Sequence, residues 1–169
     1  MITQTSLTSP FRAIRQFFDL MFRRPPRTQL AALCYRLSDN GPEVLLITSR
    51  NTKRLIIPKG WPMAKLSARK TAKREAYEEA GIIGKVAKEP IGEFPSSKGL
   101  GNGFKVKTNV IVFPLAVEEQ INEFPEMGQR ELLWMPLDRA IDSCQEEGLR
   151  HLLKSEAVNS LLMDPKTPA

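Results

Sequence analysis

Cysteine and histidine are nearly missing from this chain, whose 169 residues hold two cysteines and one histidine. Cys34 and Cys144 stand far apart with no C-x-x-C pairing. Neither a zinc knuckle nor a disulfide framework is signalled, and a reducing cytoplasm is the expected setting. The lone His151 falls in a terminal helical segment without catalytic partners in sequence, which points to a surface or partly buried histidine rather than a catalytic one. Long apolar runs are missing as well. A spanning helix needs roughly 18 to 20 consecutive apolar residues, and the longest such stretch near the start, Phe17 to Phe22, is interrupted by Asp19. Aromatics are only 7% of residues and show no interleaving with basic residues of the kind that marks RNA-binding modules.

What is present suits one ordinary globular domain: 41% hydrophobic and 26% charged residues. The net charge of +6 favours an anionic partner, be it a phosphorylated small molecule, nucleic acid or a lipid surface. Residues 1–27 differ from the rest, with Arg12, Arg15, Arg23, Arg24 and Arg27 set against the single acid Asp19. Phe11, Ile14, Phe17, Phe18, Met21 and Phe22 recur there at near-helical spacing. A short basic amphipathic extension is expected, able to make weak membrane or nucleic-acid contact and loosely like an organelle presequence. The plainer reading is an extra helix packed on the domain or a peripheral terminus. Arg24-Pro25-Pro26-Arg27 ends it, leaving a domain over residues 28–163 and a tail over 164–169.

Strands are expected at Leu30 to Leu37 and Glu43 to Ser49, joined by the Ser38 to Pro42 turn, with a short third strand at Leu55-Ile56-Ile57. Ser67 through Ala80 reads as a helix, with Ser67 as N-cap and Gly81 as the stop. Further strands fall at Gly84 to Lys88, Ile91 to Phe94, Phe104 to Val117 and Leu132 to Met135, with a turn at Gly99 to Gly103. Leu137 to Cys144 and Gly148 to Leu162 close the chain as helices. Strands, one helix, more strands and terminal helices indicate an α+β fold with a mixed sheet, or an α/β/α sandwich.

The segment with the most chemistry runs from Gly60 to Ile82. Glu75, Glu78 and Glu79 sit at i, i+3 and i+4 of the expected helix, so their carboxylates project within an arc of about 100°. Three like charges repel there unless a cation lies between them, and carboxylate oxygens are hard ligands suited to magnesium or manganese. A solvated acidic face is the plain alternative for any E-x-x-E-E. The flanks argue against it: Arg74 stands four residues before Glu78, where it can brace that carboxylate. Ala72, Ala76 and Ala80 give the helix a slim side for close approach to the sheet. Pro58-Lys59-Gly60 ends a strand nearby, so that a backbone carbonyl can turn to the same place.

This segment resembles the signature of the Nudix hydrolase superfamily, in which a glycine and a glutamate precede R-E-aliphatic-x-E-E-x-G-aliphatic. Gly60, Arg74, Glu75, Ala76, Glu78, Glu79, Gly81 and Ile82 fall at the required spacings. Leu66 replaces the first glutamate, which in the family supports the loop and the helix start. Its loss weakens the match without removing the metal ligands; a leucine could replace that support by packing the loop apolarly, if it is buried. The resemblance implies a Nudix-type α/β/α sandwich and hydrolysis of a phosphoanhydride bond with Mg2+ or Mn2+. Glu78 and Glu79 would be the principal metal ligands and the Gly60 carbonyl another; Glu75 would hold a metal or orient and deprotonate the attacking water. Glu126 or Glu131 would supply one more acid.

Leu46 to Arg50, with Ile56 to Pro62, is similar to the branch of diphosphoinositol polyphosphate and diadenosine polyphosphate hydrolases. A polyphosphorylated substrate is therefore expected, with Arg50, Lys53, Arg54 and Lys59 binding its outer phosphates. Lys98, Lys105 and Lys107 form a second basic group that faces the same cleft or bulk solvent. An RNA 5′-end pyrophosphohydrolase and a non-catalytic ligand-binding module of the same fold are the alternatives.

Overall fold

Residues Leu30 to Tyr35 are apolar at every position, which suits a strand buried on both faces, and they form the middle of the sheet. The computed structural model describes residues 27–99 and 105–164. The expected amphipathic helix before Arg27, the expected Gly99 to Gly103 turn beyond Gly99 itself and the tail beyond Asp164 lie outside them. Strand β1 (Arg27–Ser38) turns at Asp39-Asn40 into antiparallel β2 (Gly41–Thr48), with Tyr35 opposite Val44. It also lies parallel to the long β7 (Lys105–Gln120), with Gln29 opposite Val110 and Leu33 opposite Pro114. The remaining strands are β3 (Leu55–Ile56) and β8 (Leu132–Pro136) on β2, β4 (Lys59–Gly60) on β1, and β5 (Ile82–Val86) and β6 (Gly92–Gly99) on β7. One parallel pair among antiparallel ones makes the eight-stranded sheet mixed, as expected.

Period-two alternation divides β1 between two cores. Leu30, Ala32 and Cys34 face helix α1 (Ala68–Ala80), whose Ala72, Ala76 and Ala80 are fully buried against them. Small side chains let the helix axis approach the sheet. Ala31, Leu33 and Tyr35 face α2 (Leu137–Ser143), α3 (Glu147–Leu153) and α4 (Glu156–Met163), through Ala140, Leu149, Leu153 and Val158. The result is the α/β/α sandwich of the sequence reading. No described helix is long and apolar enough to cross a membrane.

Two expectations are corrected. The single closing helix from Gly148 to Leu162 is two helices, α3 and α4, because the Ser155 hydroxyl accepts from the Val158 N–H at 3.4 Å and starts a new N-terminus. Lys59-Gly60 does not merely end a strand: it pairs with Leu30 and Ala31 as a strand of its own. The adjoining Pro58 carbonyl accepts from the Ala32 N–H at 3.0 Å. Elsewhere, Ser67 holds N-cap backbone geometry without a side-chain capping bond, and Gly81 stops α1 in the left-handed region at φ 68°.

Candidate active site

Helix α1 presents its glutamates to an open cleft of about 1690 Å3 that is also lined by β4, the 49–54 loop, the 126–130 loop, β6, the start of β7 and α3. Glu75, Glu78, Glu79, Gly60 and Glu126 all line it. Glu75 lies directly over Gly60, where an added Cβ would overlap its carboxylate. Only glycine lets strand and carboxylate sit this close.

Glu79 is 5% exposed, and an ionised carboxylate at such depth needs compensation. It accepts from the Lys59 backbone N–H at 3.1 Å through Oε2 and pairs with the Arg130 guanidinium through Oε1. Burial pushes its pKa above the usual carboxylate range, while the Arg130 charge and the Lys59 N–H pull it down and the charge of Glu126 adds to the rise. The Arg130 side chain is only 7% exposed, and it also reaches Glu126 Oε2 at 3.1 Å from Nε and donates to the Thr48 carbonyl at 3.1 Å from Nη1. Glu126 pairs with Arg50 through its other oxygen, and its backbone N–H donates to the Glu78 carbonyl at 3.0 Å, docking the loop on α1. Glu78 pairs with Arg74 Nε at 2.5 Å, the i, i+4 brace expected from sequence.

Residues 27–155 match the NUDIX domain. The chain belongs to the Nudix hydrolase family. It is 34% identical over 141 residues to Nudix hydrolase 18, mitochondrial, of Arabidopsis thaliana, covering 78% of this chain and 77% of that one. It is 31% identical over 122 residues to the diphosphoinositol polyphosphate phosphohydrolase 3-alpha of Mus musculus, covering 70% of each. Among solved structures, a C. elegans Ap4A hydrolase superposes with a TM-score of 0.59 at 17% identity, over 82% of this chain and 99% of that one. That likeness speaks for the fold alone. The chain is thus an enzyme, a Nudix pyrophosphohydrolase. The family typically works with divalent metals on phosphorylated small molecules.

Against this background the sequence-derived residues separate. Of the two candidate loop acids, Glu126 enters the Nudix cleft, whereas Glu131 is exposed and spends its backbone on Thr48. Arg50, Arg54 and Lys59 line the cleft, and so does Lys107. Lys53 is not among the lining residues; it is exposed in a tight turn at φ 55°, with its N–H on the Ser49 carbonyl. The side chains of Lys98 and Lys105 lie outside what is described. Leu66 does not pack the loop apolarly: it is 39% exposed, beside Lys70, Arg74 and Tyr77 on the outer side of α1. His151 lines the cleft and is exposed, with its Nε2 3.8 Å from a Glu147 carboxylate oxygen.

Arg130 is the residue that sequence reasoning missed. Its one signal was an arginine four positions after Glu126. The donor chemistry of Glu75, Glu78, Glu79, Glu126 and the Gly60 backbone fits a small hard dication. Among the described residues, however, no three acidic side chains converge as they stand into a group able to hold an ion. Glu78 is turned to Arg74, and Glu79 and Glu126 to Arg130.

Proposed function

We propose that the enzyme hydrolyses the phosphoanhydride of a polyphosphorylated substrate, in the class of diphosphoinositol polyphosphates and diadenosine polyphosphates, with Mg2+ or Mn2+. The observation that carries this is one cleft lined both by the glutamates of α1 and by Arg50, Arg54, Lys59 and Lys107. These are more cations than a single nucleoside diphosphate needs. The name of the mouse relative supports the same class.

In this reading Glu78 and Glu79 hold the metal with the Gly60 carbonyl and Glu126. An ion held there would supply charge neutralisation at the phosphates and a more acidic attacking water. The Arg74 and Arg130 guanidiniums hold the Glu78 and Glu79 side chains at the cleft, where they would serve as ligands. Arg130 stays in place through Thr48 and holds the 126–130 loop on the cleft. Glu75, fixed over Gly60, takes the proton of the attacking water. The water oxygen bonds to an anhydride phosphorus, and the bridging P–O bond breaks with its electron pair leaving on the departing phosphate. Arg54 and Lys59 hold the outer phosphates during this exchange.

The test is catalytic efficiency on diphosphoinositol polyphosphate, diadenosine polyphosphates, nucleoside triphosphates and nucleotide sugars, in the parent, Arg54→Ala and Lys53→Ala. Arg54→Ala should raise KM for the polyphosphates several-fold with little change in kcat, because it contacts groups remote from the reacting phosphorus. Lys53→Ala, outside the cleft lining, should behave like the parent. A preference for nucleotide sugars, together with an Arg54→Ala enzyme that treats every substrate like the parent, would end the polyphosphate reading.

A further inference from the structure

At the far end of the same cleft, away from α1, the sheet and α3 enclose polar atoms that the chemistry above does not use. Thr108 is 2% exposed, and its Oγ1 has no hydrogen-bond partner. Ser96, directly opposite Thr108 across the β6–β7 pair, donates its hydroxyl to Glu146 Oε1. The second oxygen, Glu146 Oε2, is buried and has no partner either. All three residues line the cleft, together with Gln29, which is 2% exposed on the strand next to Thr108. Gly148 brings them together: a Cβ there would come within 2.7 Å of the Pro95 carbonyl oxygen, so a larger residue would push α3 and Glu146 off β6.

Buried polar atoms are normally satisfied, and leaving one unpaired is costly. Glu146 Oε2 can only accept a hydrogen bond, and Thr108 Oγ1 can donate or accept one. A carboxylate at this depth also repels phosphate. The group that suits both atoms is uncharged and carries hydroxyls. We propose that Glu146, Thr108 and Ser96 form a specificity subsite for the hydroxyl-bearing, phosphate-free end of the substrate, as in the ribose of a nucleoside polyphosphate. A polyol phosphorylated at every position is disfavoured there. The inference rests on the polyphosphate reading and narrows it: Arg50, Arg54 and Lys59 hold the phosphate chain, and Glu146 beside β6 reads a sugar hydroxyl.

The test is the full chain with Glu146→Gln and Thr108→Val, assayed on diadenosine tetraphosphate and on diphosphoinositol pentakisphosphate. Glu146→Gln should raise KM for the dinucleotide about tenfold, the effect of losing the charge on one hydrogen bond, and Thr108→Val should raise it several-fold, the effect of one neutral hydrogen bond, with kcat nearly unchanged in both. KM for the inositol substrate should stay the same or fall in Glu146→Gln, as a repulsive charge is removed. Equal shifts on both substrates, or a fall in kcat on both, would mean that Glu146 only anchors α3 to β6, and would overturn the subsite. Lower KM for the dinucleotide in Glu146→Gln would overturn it too. Binding separates this inference from the broader one. By calorimetry, Glu146→Gln should weaken ADP about tenfold and leave inositol hexakisphosphate unweakened. If neither polyphosphate is turned over but that binding pattern holds, the polyphosphate reading falls and the subsite stands. If turnover holds and the binding pattern does not, the reverse is true.

Discussion

The two ends of the cleft treat their carboxylates in opposite ways. Near α1, Glu78 has Arg74, Glu79 has Arg130, and Glu126 has both Arg130 and Arg50. Near α3, Glu146 keeps one buried oxygen with no partner at all. Guanidinium pairing holds a carboxylate in a place where another cation can take over, which suits chemistry on charged phosphates. An orphaned oxygen in a buried pocket is complementary to a neutral donor. The proposed function and the proposed subsite use that difference, with reaction at one end and recognition at the other.

The largest expected effect breaks the comparison at its reactive end. Glu78→Gln keeps the size of the side chain and removes a charge from the proposed ligand set, so kcat should fall on the order of 10²-fold or more. The side chain is half-buried on a helix that is held by other contacts, and thermal stability should change little. Parent-like turnover by Glu78→Gln in saturating Mg2+, or undiminished activity in excess chelator, would remove the metal chemistry from this end.

Next in size is Arg130→Met, which leaves Glu79 buried without its guanidinium and should cost about 3–5 kcal/mol in urea unfolding at neutral pH. The sign of its pH dependence follows from Glu79. The folded-state pKa is already raised by burial, so the folded form favours the protonated acid more than the unfolded chain does. Stability linked to this group is fully present below the unfolded carboxylate pKa and is lost as pH rises through the folded one. Without Arg130 the folded pKa should climb further, and the penalty of the substitution should shrink as pH falls into the ordinary carboxylate range. A penalty that is the same at both pH values would mean that Arg130 stabilises the loop through Thr48 and Glu126 rather than through Glu79.

These two residues also mark what the sequence makes legible. Glu78 and its brace Arg74 are four residues apart on one helix, so helical periodicity alone places them together. The same holds for the buried Ala72, Ala76 and Ala80 and for the stop at Gly81. Arg130 is 51 residues from Glu79, and its burial arises only when the 126–130 loop docks on α1. Ser96 and Glu146 meet because Gly148 admits α3 to β6, a contact with no local pattern. Lys53 misled in the other direction. Charge and position put it with Arg50 and Arg54, but the turn that it occupies takes it off the cleft lining. The break at Ser155 was hidden because apolar residues continue at helical spacing on both sides of it.

The smallest expected effect concerns Leu66, which stands where the family signature has a glutamate. Had Leu66 been buried, Leu66→Glu would have forced a charge into the core. At 39% exposure, with Lys70, Lys73 and Arg74 lining the same shallow groove, the new carboxylate would sit in water among cations. Such exposed pairs contribute little, so stability should change by no more than about 0.5 kcal/mol. The effect on turnover should be equally modest. A glutamate at this position can draw Arg74 away from Glu78, but Glu78 remains on the cleft whichever guanidinium it loses. Rates within about threefold of the parent are expected, an activation difference of under 1 kcal/mol. A gain of a hundredfold or more would show instead that the Arg74–Glu78 pair restrains the natural enzyme and that the reactive end is tuned from outside the cleft. In that case the contrast between a reactive end and a recognition end would have to include the outer side of α1.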